Sequence, residues 1–179
     1  MRKMERKVIT AVISAVVTLA VLLSGYTFYN KYIVQAPLLE AIDEMASVNQ
    51  VQISKEKSKY QITVELNRVE NLQHEYAQLE KIAAANLGSK EYDLKISAAG
   101  DQQLQDFYYQ IQPFIYEALA KDNFMWLNEQ IKQQITRENG KMDYRFFVDN
   151  EMIYLQFENG RENLYEIIPR DADGQKIQA

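Results

Sequence analysis

His74 is the only histidine in the chain, and no cysteine accompanies it. A metal centre needs three or four converging ligands. A Ser-His-Asp hydrolase would have to draw its base from this one imidazole, with no G-x-S-x-G turn to hold the serine. A solvated histidine in the first turn of a helix accounts for it. The six glycines are scattered as caps and turns, so there is no phosphate-cradling loop. Asp171, Asp173 and Gly174 have the look of a calcium loop. With Gly174 at the sixth loop position, however, the first would be Pro169 and the twelfth would fall past Ala179. Asp149, Glu151 and Glu158 stand near predicted strand ends. Glycoside hydrolysis would need two of them across a cleft at a set separation, and strand-end carboxylates ordinarily serve turns. The expectation is a protein that is not an enzyme and holds no metal and no cofactor.

Aromatic side chains are the more informative group: 12 Tyr, 7 Phe and 1 Trp. On the predicted helix Asp101–Leu119, the residues Phe107, Tyr108, Tyr109, Ile111, Phe114, Ile115, Tyr116 and Leu119 cover more than one stripe. A surface helix needs an apolar face of only about 100° to reach a core. The surplus is either a wide core contact or a second contact surface. Four consecutive large apolar residues, Phe124 to Leu127, cannot all face one side of the next helix. Tyr109, Phe114, Tyr116, Phe124, Trp126 and Leu127 are therefore the candidate interaction residues. A pocket for a lipid or glycan is the alternative use of so many rings, and an envelope hydrolase built on the carboxylates is a third and weaker reading.

Charge separates the chain into two parts. Arg2, Lys3, Arg6 and Lys7 against Glu5 make residues 1–7 net +3; the whole chain is −5, so the remainder is −8. A phosphate-backbone binder needs a basic surplus, so nucleic acid is not an expected partner. No charged residue occurs from Val8 to Asn30. About 20 apolar residues at 1.5 Å each span a hydrocarbon layer of roughly 30 Å. The basic residues before this run predict a cytoplasmic N-terminus, and Tyr26, Phe28, Tyr29 and Tyr32 suit the far interface. A cleavable signal peptide shares the basic-then-apolar order, but this run exceeds its usual 7–15 residues and no small-x-small cleavage site follows. The expected partners are thus the membrane, through residues 8–30, and an envelope protein or a second copy of the chain.

The rest of the chain must position those groups. Leu38, Ile42 and Met45 share one face of a short helix. Val51 and Ile53, then Tyr60, Ile62, Val64 and Leu66, alternate with polar residues as a hairpin, with the charged tract Lys55–Lys59 between them. Asn71 caps a helix that Gly88 closes, and Tyr92, Leu94 and Ile96 form a third strand. Asp101 caps the long helix, which Pro113 should kink, and a break at Asp122-Asn123 precedes a helix ended by Gly140. Three strands follow, with a turn at Asp149–Glu151 and a type I′ signal at Asn159-Gly160.

The organisation read from this is a cytoplasmic segment 1–7, a transmembrane helix 8–30, a juxtamembrane helix 31–47, an extracytoplasmic α+β domain 48–169 and a disordered tail 170–179. The domain should carry a mostly antiparallel sheet with helices on one face, in the order ββαβ-α-βββ. The α-β-β-α-β order of Leu38–Ala98 resembles the small ring-building modules of secretion and sporulation assemblies. That likeness rests on element order alone and carries no site residues.

Overall fold

The computed structural model describes residues 2–97, 100–138, 142–160 and 162–170, with side chains from residue 13 onward. Helix α1 (Arg2–Phe28) runs into a π-helical segment, Tyr29–Gln35, and then into α2 (Ala36–Asp43). The other elements are β1 (Val48–Glu56), β2 (Lys59–Leu66), α3 (Leu72–Leu87), β3 (Tyr92–Ser97), α4 (Gln102–Lys121), α5 (Phe124–Arg137), β4 (Asp143–Val148), β5 (Met152–Glu158) and β6 (Asn163–Pro169). The fold is α+β. The described residues include one helix long and apolar enough to cross a membrane, and it lies near the N-terminus.

The strands make two three-stranded sheets where one was expected: β1-β2-β3 and β4-β5-β6. In the first, β1 and β2 are antiparallel while β2 and β3 are parallel, with α3 as the crossover. The second is an antiparallel meander. Its turns differ from each other. Asp149–Glu151 forms the expected tight turn, with the Asp149 amide donating to the Met152 carbonyl. Asn159-Gly160 does not make a two-residue hairpin. The last ladder pair is Glu158 with Asn163, so four positions separate the strands, and Gly160 supplies a positive φ of 86° within them.

β5 is the centre of the structure. Ile153, Leu155 and Phe157 are fully buried against α4 and α5, whereas Tyr154, on the opposite face, packs with α3 and the first sheet. Gln156 and Glu158 lie on that same second face and are also buried. Each polar group that loses water this way must find a partner. The Gln156 amide donates to the Val69 carbonyl and to Glu158, and the Glu158 carboxylate meets the Arg68 guanidinium at 2.6 Å. The Tyr165 hydroxyl accepts from the Val69 amide at 3.1 Å, and Arg145 donates to the Glu70 carbonyl. The link between β2 and α3 is thereby fastened to the second sheet.

The expected caps are present. The Asn71 side chain accepts from the His74 amide, and Gly88 ends α3 with φ 60°. α4 continues through Pro113 as one helix; α5 ends at Arg137, and Gly140, expected to close it, lies outside the described residues. Residues 171–179 of the expected tail also lie outside them. Arg170, read as the start of that tail, instead belongs to the fold: its amide donates to the Glu151 carbonyl and its guanidinium pairs with Asp122 at 2.9 Å.

α2, read from sequence as a juxtamembrane helix, packs into the core of the domain. Val34, Leu38 and Ile42 are buried among Tyr60, Ile62, Val64, Leu72 and Leu79. Leu38→Ala or Ile42→Ala is therefore expected to destabilise the domain by about 2–5 kcal/mol, the usual cost of a cavity in a packed core. Urea unfolding of the detergent-solubilised full chain measures this; a change of only a few tenths would make α2 a stalk.

Candidate interaction surface

The two helices that carry the aromatic surplus are held by one capping chemistry. The Asp101 carboxylate accepts from the Leu104 amide at 2.9 Å, and the Asn123 side chain accepts from the Trp126 amide at 3.1 Å. Between them Asp122 takes a left-handed conformation, φ 49°, which a short polar side chain tolerates. Leu104, Phe107, Ile111, Ile115 and Ala118 form the buried stripe of α4, and Leu127 and Ile131 that of α5. Both stripes rest on the α4-facing side of β5 and β6. Phe107 meets Phe157 edge-on with ring centroids 5.4 Å apart.

The six candidate residues separate into three situations. Leu127 is fully buried and leaves the surface set, because with Ile131 one turn later it forms the core stripe of α5. Phe114, Phe124 and Trp126 are half-buried. Phe114 and Trp126 join α4 to α5 as an edge-to-face pair at 6.0 Å, and the Arg170 guanidinium lies 4.7 Å from the centre of the Phe124 ring. Tyr109 and Tyr116 are exposed, at 61% and 49%. Seven residues apart, they share one face of α4. Met125, part of the same apolar run but not among the six candidates, is 76% exposed on α5 beside Phe124 and Trp126. The two helices thus expose two tyrosines on α4 and a methionine on α5, and are joined by a seam of partly buried rings.

A carboxyl sits at the edge of this surface. Glu166 shares the inward face of β6 with Leu164 and Ile168, with the Tyr108 hydroxyl as its polar neighbour. Burial pushes its pKa from 4.5 up to about 7, against a smaller pull downward from the Tyr108 hydrogen bond. Burial and the Glu166 charge likewise raise Tyr108, while Gln112 opposes them. The sequence held one signal of this: a lone acidic residue inside the run Leu164–Ile168, in phase with its inward positions.

The residues weighed for catalysis serve separate structural tasks. Burial would raise the Asp149 carboxyl, but the amides of Glu151 and Met152, the Tyr154 hydroxyl and the Gln73 amide all donate to it and hold it below its ordinary range. Glu151 is exposed at the same turn. Glu158 lies at the other end of β5, roughly 20 Å away at strand spacing, and pairs with Arg68. That separation is well beyond the 5–9.5 Å of a carboxylate pair flanking a glycosidic bond. His74 is exposed, and no group of three metal-ligating side chains occurs among the described residues. A cavity of about 120 Å³ lined by Gln103, Phe107, Ile135, Glu138, Met142 and Asn159 falls short of the roughly 300 Å³ at which small-molecule sites begin.

No family model matches the chain, and no curated protein or solved structure does so either.

Glu166 carries a pH dependence with a definite sign. Its folded pKa lies above its unfolded one, so the folded state holds the extra proton between about pH 4.5 and 7. The stability this contributes is complete below pH 4.5 and is lost as pH rises through 7. Glu166→Gln, which keeps the neutral shape, is expected to flatten that fall and to stabilise the protein at neutral pH by about 1–3 kcal/mol. Unfolding midpoints of both proteins across that range measure it; parallel profiles would place the Glu166 carboxyl in water.

Proposed function

We propose that this chain is a single-pass, membrane-anchored interaction module of the cell envelope that does no covalent chemistry. Its N-terminus is cytoplasmic and its α+β domain lies outside the cytoplasmic membrane. The orientation rests on the four basic residues before the apolar run, because cationic flanks are retained on the cytoplasmic side. The partner is a protein, either another envelope component or a second copy of the chain.

The observation that carries this reading is the exposure of Tyr109 and Tyr116, which share one face of α4, together with that of Met125 on the neighbouring helix α5. Tyrosine offers a large contact area at low entropic cost, and methionine adapts its shape to a partner. Residues of this kind dominate binding where they are desolvated in a contact. None of the three belongs to the buried stripes of the two helices.

The test is site-specific photocrosslinking in the native membrane. A photoreactive residue at Tyr109, Tyr116 or Met125 should give discrete protein adducts, whereas one at Lys132 on α5 should not. Tyr109→Ser with Tyr116→Ser should weaken the association at least tenfold, with folding retained. Adduct mass distinguishes self-association from a different partner, and absence of any adduct at the three sites would refute the reading.

Orientation has its own test, made clean by the absence of native cysteine. Met125→Cys should react with a membrane-impermeant maleimide on intact cells, and Lys3→Cys only after the membrane is opened. The reverse pattern would invert the topology.

A further inference from the structure

The tip of the β1–β2 hairpin lies level with the end of the apolar helix. From Tyr26 to Asp43 the helix climbs roughly 25 Å at about 1.5 Å per residue. β1 then descends antiparallel to it, covering about 23 Å from Val48 to Lys55 at strand spacing. The contacts close the loop at the same height. Lys55 Nζ donates to the Tyr26 hydroxyl at 2.8 Å and lies 3.4 Å from Asn30 Oδ1, while the Tyr60 hydroxyl donates to that same Asn30 oxygen. The Lys55 ammonium also stands over the Tyr26 and Tyr60 rings at 5.2 and 4.9 Å. The turn residues Lys57 and Ser58 therefore reach past Tyr26, toward the apolar stretch of the helix.

This end of the domain is basic, although the chain beyond residue 7 is net −8. Lys55, Lys57 and Lys59 are on the hairpin and Lys31 is on the adjoining helix. The acidic groups at the same end are Glu56, Glu91 and Asp93, and Lys90 stands beside Glu91. Asp93 is shared between Lys59 at 4.0 Å and Lys95 at 3.6 Å. Lys31, Lys55 and Lys57 make no ion pair among the described residues. The exposed rings of Phe28, Tyr29 and Tyr32 mark the same height on the helix, and aromatic rings favour the headgroup layer.

We propose that the hairpin tip, through Lys55, Lys57 and Lys59, rests in the headgroup layer of the bilayer that α1 crosses and binds anionic lipid headgroups there. This rests on the membrane-spanning reading of α1. Each lysine near an anionic surface favours it by about fivefold, an effect that salt screens. The hairpin would thus be the domain's second point of attachment, and the lipid next to the anchor would be selected by charge.

The experiment uses the full chain reconstituted in vesicles of phosphatidylglycerol and phosphatidylcholine, with a fluorophore on Ser58→Cys. Quenching by headgroup-labelled phosphatidylglycerol should exceed quenching by headgroup-labelled phosphatidylcholine at least tenfold. Combining Lys55→Gln, Lys57→Asn and Lys59→Gln should bring the ratio to within about twofold of unity. Asparagine is chosen at position 57 because the backbone there has φ 55°; Lys57→Asn alone should give a partial loss. A fluorophore on Val17→Cys, read with an acyl-chain quencher, reports on the anchor separately. Quenching at position 17 without quenching at position 58, or equal quenching by the two lipids, overturns the hairpin proposal alone. No quenching at position 17 overturns the spanning reading along with it.

Discussion

A single strand with no solvent-facing side organises this protein. β5 is buried on both faces, so it must supply apolar contact to α4 and α5 on one side and to α3 on the other. Its polar residues Gln156 and Glu158 then have no water to turn to. Leaving either unpaired would cost more than its bond returns, and the groups within reach are those of the chain leaving β2. The carbonyl of Val69 takes the Gln156 amide N–H and the guanidinium of Arg68 meets the Glu158 carboxylate, while the Gln156 side-chain oxygen stays buried without a hydrogen bond among the described residues. One consequence is topological: the first sheet cannot move against the second without exposing an amide and a carboxylate to an apolar interior. Tyr165 and Arg145 extend the same seam to Asn67 and Glu70. The two sheets are thus fastened by hydrogen bonds to a connecting segment rather than by strand pairing.

A second constraint joins the domain to its helix. Asn30, Val34, Leu38 and Ile42 are spaced four apart, and on an ideal α-helix such positions drift by about 40° per step. The wider turns of the π-helical segment Tyr29–Gln35 rotate the other way and keep the four residues on one face. Pro37 assists, since it offers no amide to the preceding turn. Asn30 can then reach Tyr60 while Val34, Leu38 and Ile42 enter the core. The result is a helix that changes surroundings midway without a hinge.

Local signals were legible in the sequence, and relations between distant elements were not. Asn71, Asp101 and Gly88 could be read because a cap is a contact within one turn. The strands could be read because alternation needs no partner. The division into two sheets could not, because it depends on β3 pairing in parallel with β2 across α3, a choice made by packing rather than by any residue in β3. The boundary drawn at Asn30 followed charge, which does not mark where a helix ends: the helical path runs on through Gln35 to Asp43. On α5 the sequence required Phe124 to Leu127 to divide between inside and outside, but the phase had to come from a partner position. Ile131, four residues after Leu127, supplied it, and Met125 rather than Leu127 emerged as the exposed member. Glu166 was overlooked because one polar residue in an apolar run reads as tolerance until its burial is known.

These constraints bear on how the surface of α4 and α5 would act under the proposed function. A domain on a flexible stalk samples many orientations, and a partner must offset that freedom when it binds. Here the helix enters the core of the first sheet, and the hydrogen-bonded seam ties that sheet to the second. The second sheet carries α4 and α5 directly. Every link from α1 to Tyr109 and Tyr116 is therefore a packed or hydrogen-bonded contact between defined elements. An anchor already confines partners to a membrane layer and raises their effective concentration. A rigid anchor also fixes the height and direction in which the aromatic face is presented. That favours a partner held in the same membrane, whose own orientation is restricted in the same way, over one that arrives from free solution.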